Sequence, residues 1–474
     1  MSGSVCFESA TELAKRIRER EISVTEVMRE FVGQIERVNP VVNAICTVIG
    51  SDEAMRMAHG ADEVLAKTSD VGPLFGLPVA VKDLALTKGI RTTFGSRIYQ
   101  DFIPEQDALF VERLKRAGAI IIGKTNTSEF GAGSQTFNAV FGATRNPYDL
   151  SKTCGGSSGR AAVSLACGMT PLADGSDLGG SLRNPSSFCN VVGFRPSPGR
   201  VPAWPSMLGW NSLSVEGPMA RMVRDVALLL SVMAGPDPRS PISISEPGSI
   251  FREPLERDFK NARIAWTPDL GRYPVEPEVV AVCERATKVF SDLGCVVEQA
   301  TPDFSGADDI FQTLRAWQMA ETRGAEFQRH RELMKDTVIW NIERGLALSG
   351  TQVSNAEAAR TALFHRVREF FERFDFLILP VSQVAPFPVE VEWVRDINGV
   401  RMETYIDWMA TCYAITLTAS PAISVPCGFT AKGLPVGLQI VGRYRADFEV
   451  LQIAHAFEQA TGFYKHRPGE IRGQ

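Results

Sequence analysis

Histidine is scarce in this sequence: there are five in 474 residues, and none stands beside a glycine-rich turn. His59 lies in a polar stretch, while His330, His365, His455 and His466 fall on late helical segments or the tail. A histidine-based acid–base site is therefore a poor fit. The nine cysteines are odd in number and scattered, with no C-x-x-C pair and no tight Cys/His group. That argues against a zinc site and a disulfide framework, and for a reducing, cytoplasmic setting in which each thiol is a small buried hydrophobe. Apolar runs are short; Gly118–Gly123 is far below the ~18 residues a membrane span needs. The N-terminal MSGSVCFESATELAKRIRERE lacks the apolar region of a signal peptide. No polybasic run or basic half exists and the formal net charge is −5, so nucleic acid and anionic membrane are poor partners. Internal repeats, low-complexity tracts and flexible linkers are absent too, which favours one large α/β domain over separate modules.

What is present is ordinary for a globular chain, with 44% hydrophobic and 22% charged residues. Ser9-Ala10-Thr11-Glu12 and Ser23-Val24-Thr25-Glu26 read as capping boxes opening two helices, the second ending at Asn39-Pro40. A polar helix follows from Asp52 to about Ala66. From Leu77 to about Phe194 short strands and helices alternate, rich in Gly, Ser and Thr. Val79–Val81 and Ala119–Ile122 are short apolar runs bounded by turn residues, as in a buried sheet with helices on both faces. Ala262–Trp266, Phe376–Pro380 and Leu438–Gly442 read as later strands, and Glu276–Leu293 and Phe448–Thr461 as helices.

One stretch points elsewhere. Residues 118–125, GAIIIGKT, fit the P-loop pattern G-x-x-x-x-G-K-[ST] of nucleotide-binding proteins. The context opposes it. Asp107–Ala117 reads as an amphipathic helix, so Gly118 sits where a helix-ending glycine belongs. Three consecutive isoleucines then favour a strand over an anion-cradling loop. Nucleotide binding is the remote alternative, and Lys124 reads as a polar residue at a strand end.

The richest segment is Cys154–Arg183, with two Gly-Ser elements: Gly155-Gly156-Ser157-Ser158-Gly159 and Asp177-Leu178-Gly179-Gly180-Ser181. Consecutive glycines before a serine free backbone N–H groups to converge, as an oxyanion hole beside a nucleophile requires. A serine nucleophile needs a base. Neither serine has a G-x-S-x-G elbow, and no histidine is at hand. A buried lysine can serve if burial lowers its pKa. Lys82 follows the apolar Gly76–Val81 and shares a strand face with Ala80 and Leu84. Taken alone, a strand-end lysine reaching to solvent is the simpler reading.

With GLPVAVKD, GKTNTSEFG, RNPYD, CGGSSGRAA, DGSDLGGSLRNPSSFCNVVGFRPS, GRVP and PVGLQIVG in order, the chain resembles the amidase signature family of serine hydrolases over most of its length. The resemblance implies a large central twisted mixed β-sheet covered by helices on both faces. It also implies a single domain over 1–474, with N-terminal helices at about 9–66, a signature core at about 72–200 and a variable, substrate-loop and helical region at about 300–410. A Ser–cis-Ser–Lys triad is implied at Ser181, Ser157 and Lys82, with a cis peptide bond between Ser157 and Ser158. In that scheme neutral Lys82 takes a proton through Ser157, Ser181 attacks the amide carbonyl, and the N–H groups of Leu178, Gly179, Gly180 and Ser181 hold the oxyanion. Gly131 matches a substrate-binding position. No metal or organic cofactor is implied, and a homodimer is compatible with the family.

The chain departs from the family pattern at Arg160, where glycine is common, and at Ser176, where threonine is common. Arg160 is expected to face solvent, the alternative being contact with an acidic substrate group; Ser176 is expected to keep its hydrogen bond, and Asp177 with Arg183 to form a structural pair holding the glycine turn. The implied activity is hydrolysis of a small amide; Trp204, Met207, Trp210, Trp317, Trp340, Tyr405 and Trp408 are candidate pocket walls, plain core packing being an equal reading for each, and an aryl or apolar amide is favoured if several do line the cleft. The alternative is the glutaminase-type A subunit of a tRNA-dependent amidotransferase. Arg200–Pro205 continues differently from that protein, which favours a free-standing amidase.

Overall fold

The capping residues start the first helices where the sequence puts them. In the computed structural model, which describes residues 5–471, the Ser9 hydroxyl accepts the N–H of Glu12 and opens α1 (Ala10–Arg18). Glu12 does not reach back. The remaining first-turn donors, Ala10 and Thr11 N–H, go instead to the Asp225 carboxylate at 3.0 and 2.9 Å. Ser23 and Glu26 form the full reciprocal box at the start of α2 (Val24–Val42). Pro40 does not end this helix. Only two residues follow it, and Asn39 offsets the forgone backbone bond by accepting the N–H of Ala44 and Ile45 on its side-chain oxygen at 2.9 and 2.7 Å. The polar helix α3 spans Ser51–Lys67.

Eleven strands make one sheet. In chain order they are β1 (Ile45–Val48), β2 (Pro78–Lys82), β3 (Ile120–Thr125), β4 (Leu172–Asp177), β5 (Val192–Arg195), β6 (Val215–Ala220), β7 (Arg263–Trp266), β8 (Val296–Gln299), β9 (Phe376–Pro380), β10 (Ala422–Phe429) and β11 (Pro435–Gly442). Their spatial order is β1-β3-β2-β4-β6-β5-β10-β11-β9-β7-β8. The sheet is mixed: β2 runs parallel to β3 and β4, whereas β4 and β6 are antiparallel. Every residue of β2, β3 and β4 is buried, which for alternating side chains means that both faces are covered.

Helix α4 (Leu109–Arg116) ends at Ala117, and Gly118 adopts φ +88° before β3 begins. The GAIIIGKT stretch is thus helix end and strand, and the strand runs through Gly123, Lys124 and Thr125. A phosphate cradle is excluded there: the Lys124 side chain is buried, and its Nζ donates to Ala85 O at 2.5 Å and Thr87 Oγ1 at 2.7 Å. Two short helices, α5 (Gly159–Ala166) and α6 (Arg183–Phe188), follow the two Gly-Ser turns. Then α7 (Val223–Met233), α8 (Pro277–Asp292) and α9 (Ala307–His330) follow, and a final helix spans Asp447–Thr461. Among the described residues no helix is long and apolar enough to cross a membrane. All cysteines except Cys46 are buried, and none is bridged.

Candidate active site

Strand β2 carries Lys82 into the interior, where it is 1% exposed. Its backbone N–H donates to Asp174 Oδ1 on β4 at 3.0 Å. Its Nζ donates to three hydroxyls, Ser157 Oγ at 2.9 Å, Ser158 Oγ at 2.8 Å and Ser176 Oγ at 2.9 Å, which uses all three ammonium donors. Among the described residues no carboxylate lies within ion-pair distance of it. Burial pulls its pKa from 10.5 down to about 8, against the opposing pull of Glu216, Asp174 and Asp177. A solvent-reaching lysine is therefore ruled out.

The first serine turn packs without room for a side chain at Gly156: a Cβ there would stand 2.7 Å from the Gln135 carbonyl carbon. The cis peptide bond is Gly156–Ser157, one residue earlier than the Ser157–Ser158 position the resemblance suggested. The bare glycine is what lets this unit lie against the Gln135 backbone. The turn joins the second one through Ser158 N–H, which donates to Ser181 O at 3.3 Å.

The second turn leaves the end of β4. Asp177 is fully buried and gathers it: Oδ1 accepts Gly180 N–H at 3.0 Å and Oδ2 accepts Leu182 N–H at 3.1 Å. Arg183 grips the same carboxylate with Nε and Nη2 at 3.0 and 2.9 Å, and Arg195 adds Nη1 at 3.2 Å. Burial alone would raise the Asp177 pKa, but the two guanidiniums hold it well below the ordinary carboxylate range. Arg183 also donates to Cys412 O at 2.9 Å and Gln439 Oε1 at 2.6 Å. The expected structural pair is thus a larger network.

This network uses one of the four N–H groups assigned to an oxyanion: Gly180 N–H is already taken by Asp177. Those of Leu178, Gly179 and Ser181 have no acceptor among the described residues. Gly180 adopts φ +114°, which only glycine takes easily, and turns the chain between them. Gly131 lies next to Ser157; a Cβ on it would stand 3.6 Å from Ser157 Oγ and 3.1 Å from Leu84 Cδ1.

Leu84 leads from there into a cavity of about 590 Å³, lined by Leu86, Phe94 and Met207 and by the polar Glu216 and Gln318. Glu216 on β6 stands directly opposite Ser176 on β4, on the same face of the sheet as that lysine-bound hydroxyl. Of the seven candidates for a pocket wall, for each of which core packing was an equal reading, Met207 alone lines this cavity. Trp408 is core, its indole N–H donating to Ser134 Oγ at 2.8 Å. Tyr405 is buried against Arg315 and Asn341, and Trp340 packs edge-on to it at 5.8 Å. The Arg239 guanidinium lies 4.5 Å over Trp204, Trp317 is half-buried on α9, and Trp210 is 79% exposed.

Arg160 corrects another expectation. It is fully buried at the start of α5, where Nε donates to Thr144 Oγ1 and Nη2 donates to Gly142 O at 2.9 Å. A hairpin hydroxyl and a hairpin carbonyl, not solvent, accept from it. Leu84, Glu216 and Gln318 were missed by sequence reasoning, because no local motif marks them.

The chain is similar to known proteins over nearly its whole length. A family model described as Amidase matches residues 26–451. An acylamidase of Rhodococcus erythropolis is 35% identical over 98% of this chain and 97% of its own length. The A subunit of a glutamyl-tRNA(Gln) amidotransferase from Moorella thermoacetica is 34% identical over 98% of both chains. Among solved structures, a bacterial aryl acylamidase of the amidase signature family superposes with a TM-score of 0.90 at 30% identity, covering 97% of this chain and 98% of that one. A 6-aminohexanoate cyclic dimer hydrolase bound to substrate superposes with a TM-score of 0.88 at 27% identity, covering 98% and 99%.

Proposed function

We propose, from the premise that this chain belongs to the Amidase family and hydrolyses amide bonds, that Ser181 is the nucleophile and Lys82, acting through Ser157, its base. One observation carries this reading: a buried lysine with no carboxylate within ion-pair distance among the described residues, its Nζ 2.9 Å from Ser157 Oγ and its pKa lowered to about 8. A neutral amine held on a hydroxyl can take that hydroxyl's proton, and the hydroxyl can in turn take one from Ser181. Ser181 Oγ then bonds to the amide carbon, and the oxyanion forms against the N–H groups of Leu178, Gly179 and Ser181. The C–N bond breaks as the nitrogen receives the proton back through Ser157. Water, deprotonated along the same path, releases the acid and restores Ser181.

Leu84, next to Gly131 beside Ser157, and the apolar Leu86, Phe94 and Met207 of the cavity it borders support an aryl or otherwise apolar amide as substrate. The acylamidase relatives point the same way. We read residues 1–474 as one domain, since strands from Ile45 to Gly442 share one sheet, and we assign a cytoplasmic setting from the unbridged thiols.

The test is covalent. An activated fluorophosphonate should label the wild type, and Ser181→Ala should take no label. Continued labelling of Ser181→Ala would refute the nucleophile. A partner-free assay on acetanilide, acetamide and glutamine should give turnover of the anilide. Turnover confined to glutamine, and only with a partner protein, would replace this reading with the amidotransferase one.

A further inference from the structure

Glu216 is a carboxyl without a partner in the wall of the cavity that Leu84 borders. It is half-buried, and among the described residues no hydrogen bond or ion pair reaches it. Such a group is costly in a confined space unless something donates to it. The cation lining the same cavity, Arg323, is already engaged: Nη1 donates to Glu326 at 3.2 Å, and the guanidinium lies 4.6 Å over the Phe130 ring. Leu84 and Met207 offer no donor. Lys82, across the Ser176 position, spends its three donors on serines. Ser206, Asn211, Ser214, Gln318 and Thr322 also line the cavity, yet among the described residues none of them donates to the Glu216 carboxyl, and Leu84, which borders the cavity, lies next to Gly131 beside Ser157.

We infer that Glu216 is a specificity-determining residue whose carboxyl accepts a hydrogen bond from an O–H, N–H or ammonium group on an otherwise apolar amide substrate. The inference rests on the reading of Ser181 as nucleophile. Burial and the neighbouring Asp174 carboxylate push the Glu216 pKa up to about 8. The group thus ionises readily when a cation arrives, and as a neutral acid it still offers an acceptor oxygen. A site built around a hydrogen-bonding group rejects analogues that lack the partner far more strongly than an apolar pocket rejects a missing methylene.

Two matched anilide series test this, because the carboxyl could meet either half of the substrate. On the leaving side they are 4-ethylacetanilide, 4-hydroxyacetanilide and 4-(aminomethyl)acetanilide. On the acyl side they are propionanilide, glycolanilide and glycine anilide. In at least one series the donor-bearing members should exceed the apolar member by about tenfold in kcat/KM with the full-length wild type. Glu216→Leu should bring that ratio to within about twofold of unity, and Glu216→Gln should keep the hydroxyl preference but lose the ammonium one. A wild type with no donor preference in either series overturns the inference without any variant having to fold. So does a Glu216→Leu protein that keeps the preference. Fluorophosphonate labelling of wild type against Ser181→Ala reports separately on the nucleophile, so a failure there is not confused with a failure here.

Discussion

Asp177 accepts the N–H of Gly180 at 3.0 Å while its own carboxylate is held by Arg183 at 2.9 Å, both side chains fully buried. The glycine turn before Ser181 is therefore fixed by an ion pair beneath it. It need not be held by a substrate. Asp177→Asn would leave Arg183 and Arg195 buried without a counter-charge. The expected loss is about 3–5 kcal/mol of stability, read by urea unfolding, together with loss of fluorophosphonate labelling. A variant as stable and as reactive as the wild type would show that the network is idle.

The two glycines of that turn should differ under substitution. A Cβ on Gly180 would stand 2.6 Å from both Asn184 Nδ2 and Cys412 Cβ at φ +114°, whereas one on Gly179 would meet Phe311 Cζ at 3.2 Å, the end of a ring that can shift. Gly180→Ala should therefore lower both melting temperature and labelling rate severely. Gly179→Ala should spare stability and act mainly on turnover. Equal effects of the two would contradict this account.

Activity should rise with pH. The relay needs Lys82 neutral, and burial has lowered its pKa to about 8 in the presence of Glu216, Asp174 and Asp177. Below that pH the neutral fraction falls about tenfold per unit, so kcat/KM on a neutral anilide should climb from about pH 6 and level off above about pH 8. Glu216, with a pKa near 8, titrates in the same window, so the limb belongs to the pair and not to either group alone. A flat profile across that range would sink the lysine-base assignment.

Lys124 offers a test of the cavity wall. Its ammonium ties Ala85 O and Thr87 Oγ1, one residue either side of Leu86 and next to Leu84. Lys124→Met should loosen that segment and raise KM for an anilide several-fold, while the labelling rate of Ser181 changes much less. Labelling and KM failing together would place Lys124 in general stability instead.

Several strands and most helices were legible from local pattern, as short apolar runs bounded by turn residues and as capping serines, whereas the grouping of Lys82 with Ser157 came from the family resemblance alone. The cavity was not legible. Leu84, Glu216 and Gln318 come from a turn, a strand and a helix widely separated in the chain, and nothing near any of them signals the others. The aromatic residues stayed undecided between pocket wall and core for a related reason. Trp408 fills the core and Trp210 sits in solvent, and a tryptophan's size suits either place until its neighbours are known. Arg160 was misread because its acceptors, Thr144 and Gly142, belong to a hairpin that folds back over it, a contact that burial pattern alone does not announce.

The grip of Arg183 on Cys412 O and Gln439 Oε1 sets a timetable for the molecule. During synthesis the Ser181 turn leaves the ribosome long before Cys412 and Gln439, the residues that Arg183 grips. A chain cut before Pro435 would lack the strand that carries Gln439, so the full anchoring of that turn waits on the C-terminal part of the sheet.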